Sequence, residues 1–200
     1  MKVVGLCGGI GAGKSTVARL LAERGAVVVD VDALGRSVLA HDEVRHAVVA
    51  EVGDRGLDAD GGIDRAALAR EVFSCEGRLT DLEAISHPAI DREIARHLEA
   101  LASDPPDLVV LDMAVLVESD LGKLSDGRGY TEVVVVEAHA DVRLERLVAR
   151  GMAADDARAR MAAQATDAER RAVADHVLVN DGDEADLAER VDELIPLLVA

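Results

Sequence analysis

Residues Gly8-Gly9-Ile10-Gly11-Ala12-Gly13-Lys14-Ser15 satisfy the pattern G-x-x-x-x-G-K-[ST] in full. The octapeptide follows a short apolar run at 2–6 and opens a helical pattern at 15–24, the strand–loop–helix setting in which such a loop works. Its glycines let the backbone curl with N–H groups pointing inward, and the helix N-terminus adds partial positive charge; both favour phosphate. Lys14 is placed to neutralise β and γ phosphates, and the Ser15 hydroxyl to coordinate Mg²⁺. A dinucleotide fingerprint is excluded, because Lys14 stands where G-x-G-x-x-G needs its third glycine. The loop predicts a nucleoside triphosphate site.

The remaining pattern is that of an α/β chain. Runs at 2–6, 26–31, 108–112, 132–137 and 176–179 are rich in Val and Leu with little polar alternation, as in strands buried on both faces. Helical segments separate them, which predicts a five-stranded parallel sheet between two helical layers. One domain is expected, with its core at 1–31, 108–139 and 172–200, a helical region at 32–107 and a further helical segment at 140–171. Within 32–107, Asp64 starts a helix, Pro88 breaks or kinks the next one, and Pro105-Pro106 closes the region before the third strand.

Composition narrows the partners. The formal charge is −17 and the aromatic share 1%, so nucleic acid and acidic lipid are disfavoured and base-stacking surfaces are nearly absent. No apolar run approaches the ~18 residues of a membrane span, and a membrane partner is not expected. Cys7 and Cys75 form no disulfide framework, which fits a reduced, cytoplasmic protein. An anionic chain that binds phosphate needs a local cationic cluster. Of the three lysines one is Lys14, and seven of the 19 arginines fall between residues 143 and 171. Arg143, Arg146 and Arg150 share a helix face by spacing. Arg146 and Arg150 are read as phosphate contacts; Arg143, Arg158 and Arg160 are read as ordinary surface pairing. These arginines are expected to lack partners until phosphates arrive, making 140–171 a mobile, arginine-rich lid.

Acids mark the other half of the chemistry. Period-two alternation through Val29-Asp30-Val31-Asp32 puts both carboxylates on one face at a strand's carboxyl end, where ligands bind in open α/β sheets. Asp32 is read as the base for an acceptor hydroxyl, against a helix cap; Asp30 is either a supporting acid or a cap. Arg36 either pairs with Asp32 or touches substrate. Asp112 ends the third strand, where an acid helps hold Mg²⁺ through water, and Glu118 is a weaker candidate. No Asn-Lys-x-Asp tetrapeptide exists, so a GTPase is disfavoured.

Taken together these residues resemble the dephospho-CoA kinase family. The likeness runs through Gly5–Ala18, Asp30-Val31-Asp32 with Arg36, Gly62-Ile63-Asp64-Arg65, Val72-Phe73, Leu82-Glu83-Ala84-Ile85-Ser86-His87-Pro88, Ala163-Gln164 and Ala174–Asn180. It implies a P-loop kinase-like three-layer sandwich with a helical substrate-side region and a helical lid. It also implies ATP-dependent phosphorylation of the ribose 3′-hydroxyl of dephospho-CoA, with Mg²⁺, by a monomer. In that likeness Asp32 matches the base, Gly11, Ala12, Gly13, Lys14, Ser15 and Thr16 the phosphate loop, and Arg146 and Arg150 the lid. His87 falls on the substrate side, and Asn180 matches a position near the adenine. From the residues alone, Asn180 reads as a turn residue and His87 equally as a structural hydrogen-bonding group. Three positions depart from the family pattern: Cys7 for Thr, Ala114 for Pro and Arg143 for Gln. Two other readings stand beside this one: another small-molecule or nucleotide kinase on the same scaffold, and a nucleotide-dependent switch.

Overall fold

The computed structural model describes residues 1–74, 77–117, 119 and 121–200. Five parallel strands, β1 (Lys2–Gly8), β2 (Val27–Asp30), β3 (Leu108–Asp112), β4 (Glu132–Glu137) and β5 (His176–Val179), lie in the order β2-β3-β1-β4-β5. The fold is α/β with a parallel sheet, as the interleaved apolar runs predict. β1 is central, registered Val4 to Val110 of β3 and Leu6 to Val134 of β4. Its residues are buried on both faces, which explains the missing polar alternation.

Two compact units make up the chain, 1–30 with 98–200 and 31–97. In the first, α1 (Lys14–Glu23) and the last helix (Glu184–Val199) cover one sheet face through Val17, Leu21, Leu187, Val191 and Leu198, against Val4, Leu6, Val110, Val134 and Val136. Those side chains are almost fully buried, each contributing roughly 1.5–3 kcal/mol. Leu116 and Tyr130 lie over Gly5 on the opposite face. The second unit is helical: α2 (Val31–Val38), α3 (Asp42–Val52), α4 (Arg65–Phe73) and most of α5 (Arg78–Ala100).

Asp64 caps α4 as expected, its carboxylate accepting from the N–H groups of Ala66 and Ala67 at 2.9 and 3.1 Å. α5 runs unbroken through Pro88, so the expected break is absent; the proline costs the helix one main-chain hydrogen bond without ending it. β2 stops at Asp30 and Val31 already opens α2, so the strand alternation expected to reach Asp32 does not.

Three strands are also joined at their starting ends by side chains. The Lys2 ammonium donates to Glu132 at 2.5 Å, and Glu132 meets His176 at 3.0 Å. The Lys2 hydrogen bond, followed by that of His176, holds the Glu132 carboxyl below the usual carboxylate range. Its stabilisation is therefore present above the unfolded pKa and lost as pH falls through the folded one. Glu132→Gln should lower Tm by about 2–4 °C at pH 7, with the deficit shrinking on acidification below the carboxylate range. Thermal melts of both proteins from pH 7 to pH 2 check it.

Candidate active site

β1 ends at Gly8, registered with Val136 of β4, and the chain then turns back on itself where the Ala12 N–H donates to the Gly9 carbonyl at 3.0 Å. Gly13 follows with φ 100°, a left-handed conformation that L side chains rarely adopt, and α1 begins at Lys14. A side chain at 13 is barred a second way, because a Cβ there would lie 2.2 Å from Asn180 Nδ2. α1 has no side-chain cap and no acid in its first turn, which leaves the positive end of the helix to an anionic ligand.

Asn180, just past β5, is not a simple turn residue. It is 5% exposed, and its amide donates to the Ala12 carbonyl at 2.7 Å. Its own N–H donates to the Glu137 carbonyl at 2.7 Å, so the end of β4, the end of β5 and the glycine loop are tied together.

Lys14 and Asp112 meet in an ion pair at 2.5 Å, both largely buried. Asp112 is the last residue of β3, registered with Leu6 of β1 and with Asp30 of β2. The acid expected at the metal and the lysine expected at the phosphates thus share one corner, with Ser15 and Thr16 in the first turn of α1. Asp30 is exposed beside them at the end of β2. Glu118 and Cys75 lie outside the described residues.

The arginines divide differently from their spacing. α6 (Ala140–Ala149) carries Arg143 and Arg146, and Arg150 is its C-cap. Arg146 donates to the Asn180 carbonyl at 2.9 Å and the Gly182 carbonyl at 3.2 Å, which places it on the β5 exit beside the loop. Arg150 is exposed. Arg143 is no surface residue: it is 5% exposed, its Nε–H donating to the Ile10 carbonyl at 2.9 Å. Burial pushes its guanidinium below the ordinary arginine value, opposed by Asp167. Helical spacing could not show this, because the partner is a main-chain oxygen more than a hundred residues away. α7 (Ala154–Ala162) carries Arg158, paired with Asp155 at 3.0 Å as its spacing suggests. α8 (Asp167–Val173) carries Arg170 on Asp167 and Arg171 on Glu137. The expectation of arginines without partners is therefore wrong for Arg143, Arg146, Arg170 and Arg171, because carboxylates and carbonyls of the protein already hold them.

In the helical unit, Asp32 sits one residue inside α2 and Arg36 one turn further on. Asp32 thus stands in the first turn of α2 rather than before it. Arg36 lines a cavity of about 350 Å³ together with Arg45, Asp58, Gly62, Ile63 and Arg65. His87 is half-buried on α5.

Comparison with known proteins decides the family. The sequence pattern of the family described as dephospho-CoA kinase matches residues 2–186. The chain belongs to the dephospho-CoA kinase family. A curated dephospho-CoA kinase from Frankia casuarinae is 45% identical over 201 residues, covering 100% of this chain and 85% of that one. A crystal structure from Thermus thermophilus superposes with TM-score 0.82 at 34% identity, covering 100% of this chain and 98% of that one. A dephospho-CoA kinase from Campylobacter jejuni, at 21% identity and TM-score 0.70 over 100% of this chain and 98% of its own, shares the fold. As a member of this family the chain is a kinase, and no described helix is long and apolar enough to cross a membrane.

Of the departures from the dephospho-CoA kinase pattern, Cys7 lies in β1 at 1% exposure. Peptide mapping after maleimide treatment should find it unlabelled in native protein, equally with and without ATP, and labelled after denaturation. Rapid native labelling that ATP suppresses would instead mark a reactive thiol at the loop. Asn180→Asp sets a carboxylate oxygen against the Ala12 carbonyl in place of a donor. It should lower Tm by about 4–8 °C, roughly 2 kcal/mol, and weaken ATP binding, as read by thermal melts and titration calorimetry.

Proposed function

We propose that this chain transfers the γ-phosphoryl group of ATP to the ribose 3′-hydroxyl of dephospho-CoA, giving CoA and ADP. The observation that carries the reading is the family match across residues 2–186, with the loop through Lys14 and Ser15 intact. In phosphoryl transfer the protein positions the reactants and stabilises the charge spread over the moving group. The inward-curled loop from Gly11 to Thr16 would bind the ATP phosphates, and Lys14 would neutralise β and γ oxygens from the corner where Asp112 holds it. Arg150, exposed at the end of α6, would reach the same phosphates, while Arg146 orders the Asn180 segment at the nucleotide.

For Mg²⁺ the chain offers Ser15 and, through water, Asp112. No cluster of three His, Cys, Asp or Glu suited to a metal occurs among the described residues. That sparse set fits Mg²⁺, which takes one or two protein oxygens and completes its shell with phosphate oxygens and water. Held there, it would supply neutralisation of the triphosphate's negative charge.

On the acceptor side Asp32 would take the hydroxyl proton, with Arg36 and His87 contacting dephospho-CoA. ATP consumption measured with and without dephospho-CoA tests the reaction itself; equal rates in both would sink it. Asp32→Asn keeps shape and hydrogen-bonding reach but cannot accept the proton. It should leave ATP affinity near normal and cut dephospho-CoA turnover by about 10²-fold or more. Unchanged turnover would remove Asp32 from the chemistry.

A further inference from the structure

Ile10 brings no chemistry of its own, yet both of its main-chain polar groups are held by side chains from far along the sequence. Its N–H donates to Gln164 Oε1 at 2.8 Å, and its carbonyl accepts from Arg143 Nε at 2.9 Å. Gln164 lies between α7 and α8, and Arg143 lies in α6. Arg143 Nη1 also donates to Asp167 at 3.3 Å, and Asp167 accepts from Arg170 at 2.9 Å. Arg143 Nη2 is buried without a hydrogen-bond partner among the described residues. It lies directly against the loop, since a Cβ on Gly9 would stand 2.4 Å from it.

A buried cation with one unpaired nitrogen is an expensive way to stabilise a fold. Its position is explained by what its Nε–H does. The Gly9–Ile10 peptide is held through its N–H and the Ile10–Gly11 peptide through its C=O, so two successive peptide planes of the loop keep one direction before any ligand arrives.

We propose that Arg143 and Gln164 are positioning residues for the nucleotide, gripping the Ile10 main chain from both sides so that the phosphate loop is pre-set for ATP. The working contact of Arg143 is its Nε–H on Ile10, and the Asp167 link serves to aim it. The inference rests on ATP being the ligand of this loop.

The side chains themselves supply the test. Gln at 143 carries its Nε2–H₂ the same number of bonds from Cβ as Arg Nε, whereas Met has equal length and no donor. Arg143→Met should raise the KM for ATP by about 10-fold, with the KM for dephospho-CoA unchanged within about twofold. Arg143→Gln should bring the KM for ATP back to within about threefold of the native value despite losing the charge. Gln164→Leu, which removes the acceptor, should behave like Arg143→Met, and Gln164→Glu, which keeps it, like Arg143→Gln. Titration calorimetry with ATP alone reads the same order without an acceptor, and thermal melts show that each variant is folded. If Arg143→Met does not fold, the Gln164 pair carries the comparison. Equal losses in the donor-bearing and donor-free variants, or a matching rise in both KM values, overturn the proposal. Native protein that binds ATP but ignores dephospho-CoA overturns the proposed reaction instead and leaves the grip standing.

Discussion

A strand of glycines has no reason to hold a curve unless other parts of the chain hold it. The loop after β1 is held by three side chains from three separate segments. Asn180 takes the Ala12 carbonyl, Arg143 the Ile10 carbonyl and Gln164 the Ile10 N–H. Glycine makes the bend sterically free but costs conformational entropy, and these few hydrogen bonds offset that cost where the phosphates are to bind. The sheet supplies the frame, since β5 delivers Asn180 and β3 delivers Asp112 to the same end as the loop. Remove the frame and the motif is only a flexible turn.

The acidic total of the chain sharpens this arrangement. With a formal charge of −17, affinity for an anionic ligand cannot come from the overall field. On the proposed reading it comes from fixed local groups: Lys14 oriented by Asp112, Arg146 oriented by main-chain carbonyls, and the open end of α1. Lys14, Arg143 and Arg146 are each directed by a partner rather than left to wander, and a directed charge loses less entropy when its ligand binds.

Much of this was legible in the sequence, and the reasons are physical. The five strands announce themselves because strands buried on both faces need unbroken apolar runs, and the loop because few residues other than glycine fit its turns. Helix boundaries read less well. Val31 belongs to α2 and not to β2, although β-branching favours a strand, so local propensity points the wrong way at that junction. Pro88 passes through α5 because a single proline removes only one bond from a long helix. Arg143 and Asn180 were misread for a different reason. Their partners are main-chain atoms of distant residues, and no local spacing records such contacts. Gln164 showed only as part of a family pattern, with nothing in the residues around it to say what it touches.

The central place of β1 also bears on how the chain reaches its fold. Its neighbours in the sheet are Leu108–Asp112 and Glu132–Glu137, while its nearest strand in sequence, β2, pairs only with β3. During synthesis β1 therefore waits, apolar and unpaired, until about a hundred further residues have brought out Leu108–Asp112. Parallel pairings of such long range are slow to form, and the exposed apolar run is open to wrong partners meanwhile. The loop waits longer still, because Gln164 and Asn180 follow both of these strands in sequence. On the proposed reading nucleotide binding thus needs β5, and a nascent fragment lacking it carries the glycine loop without Asn180 to hold its shape.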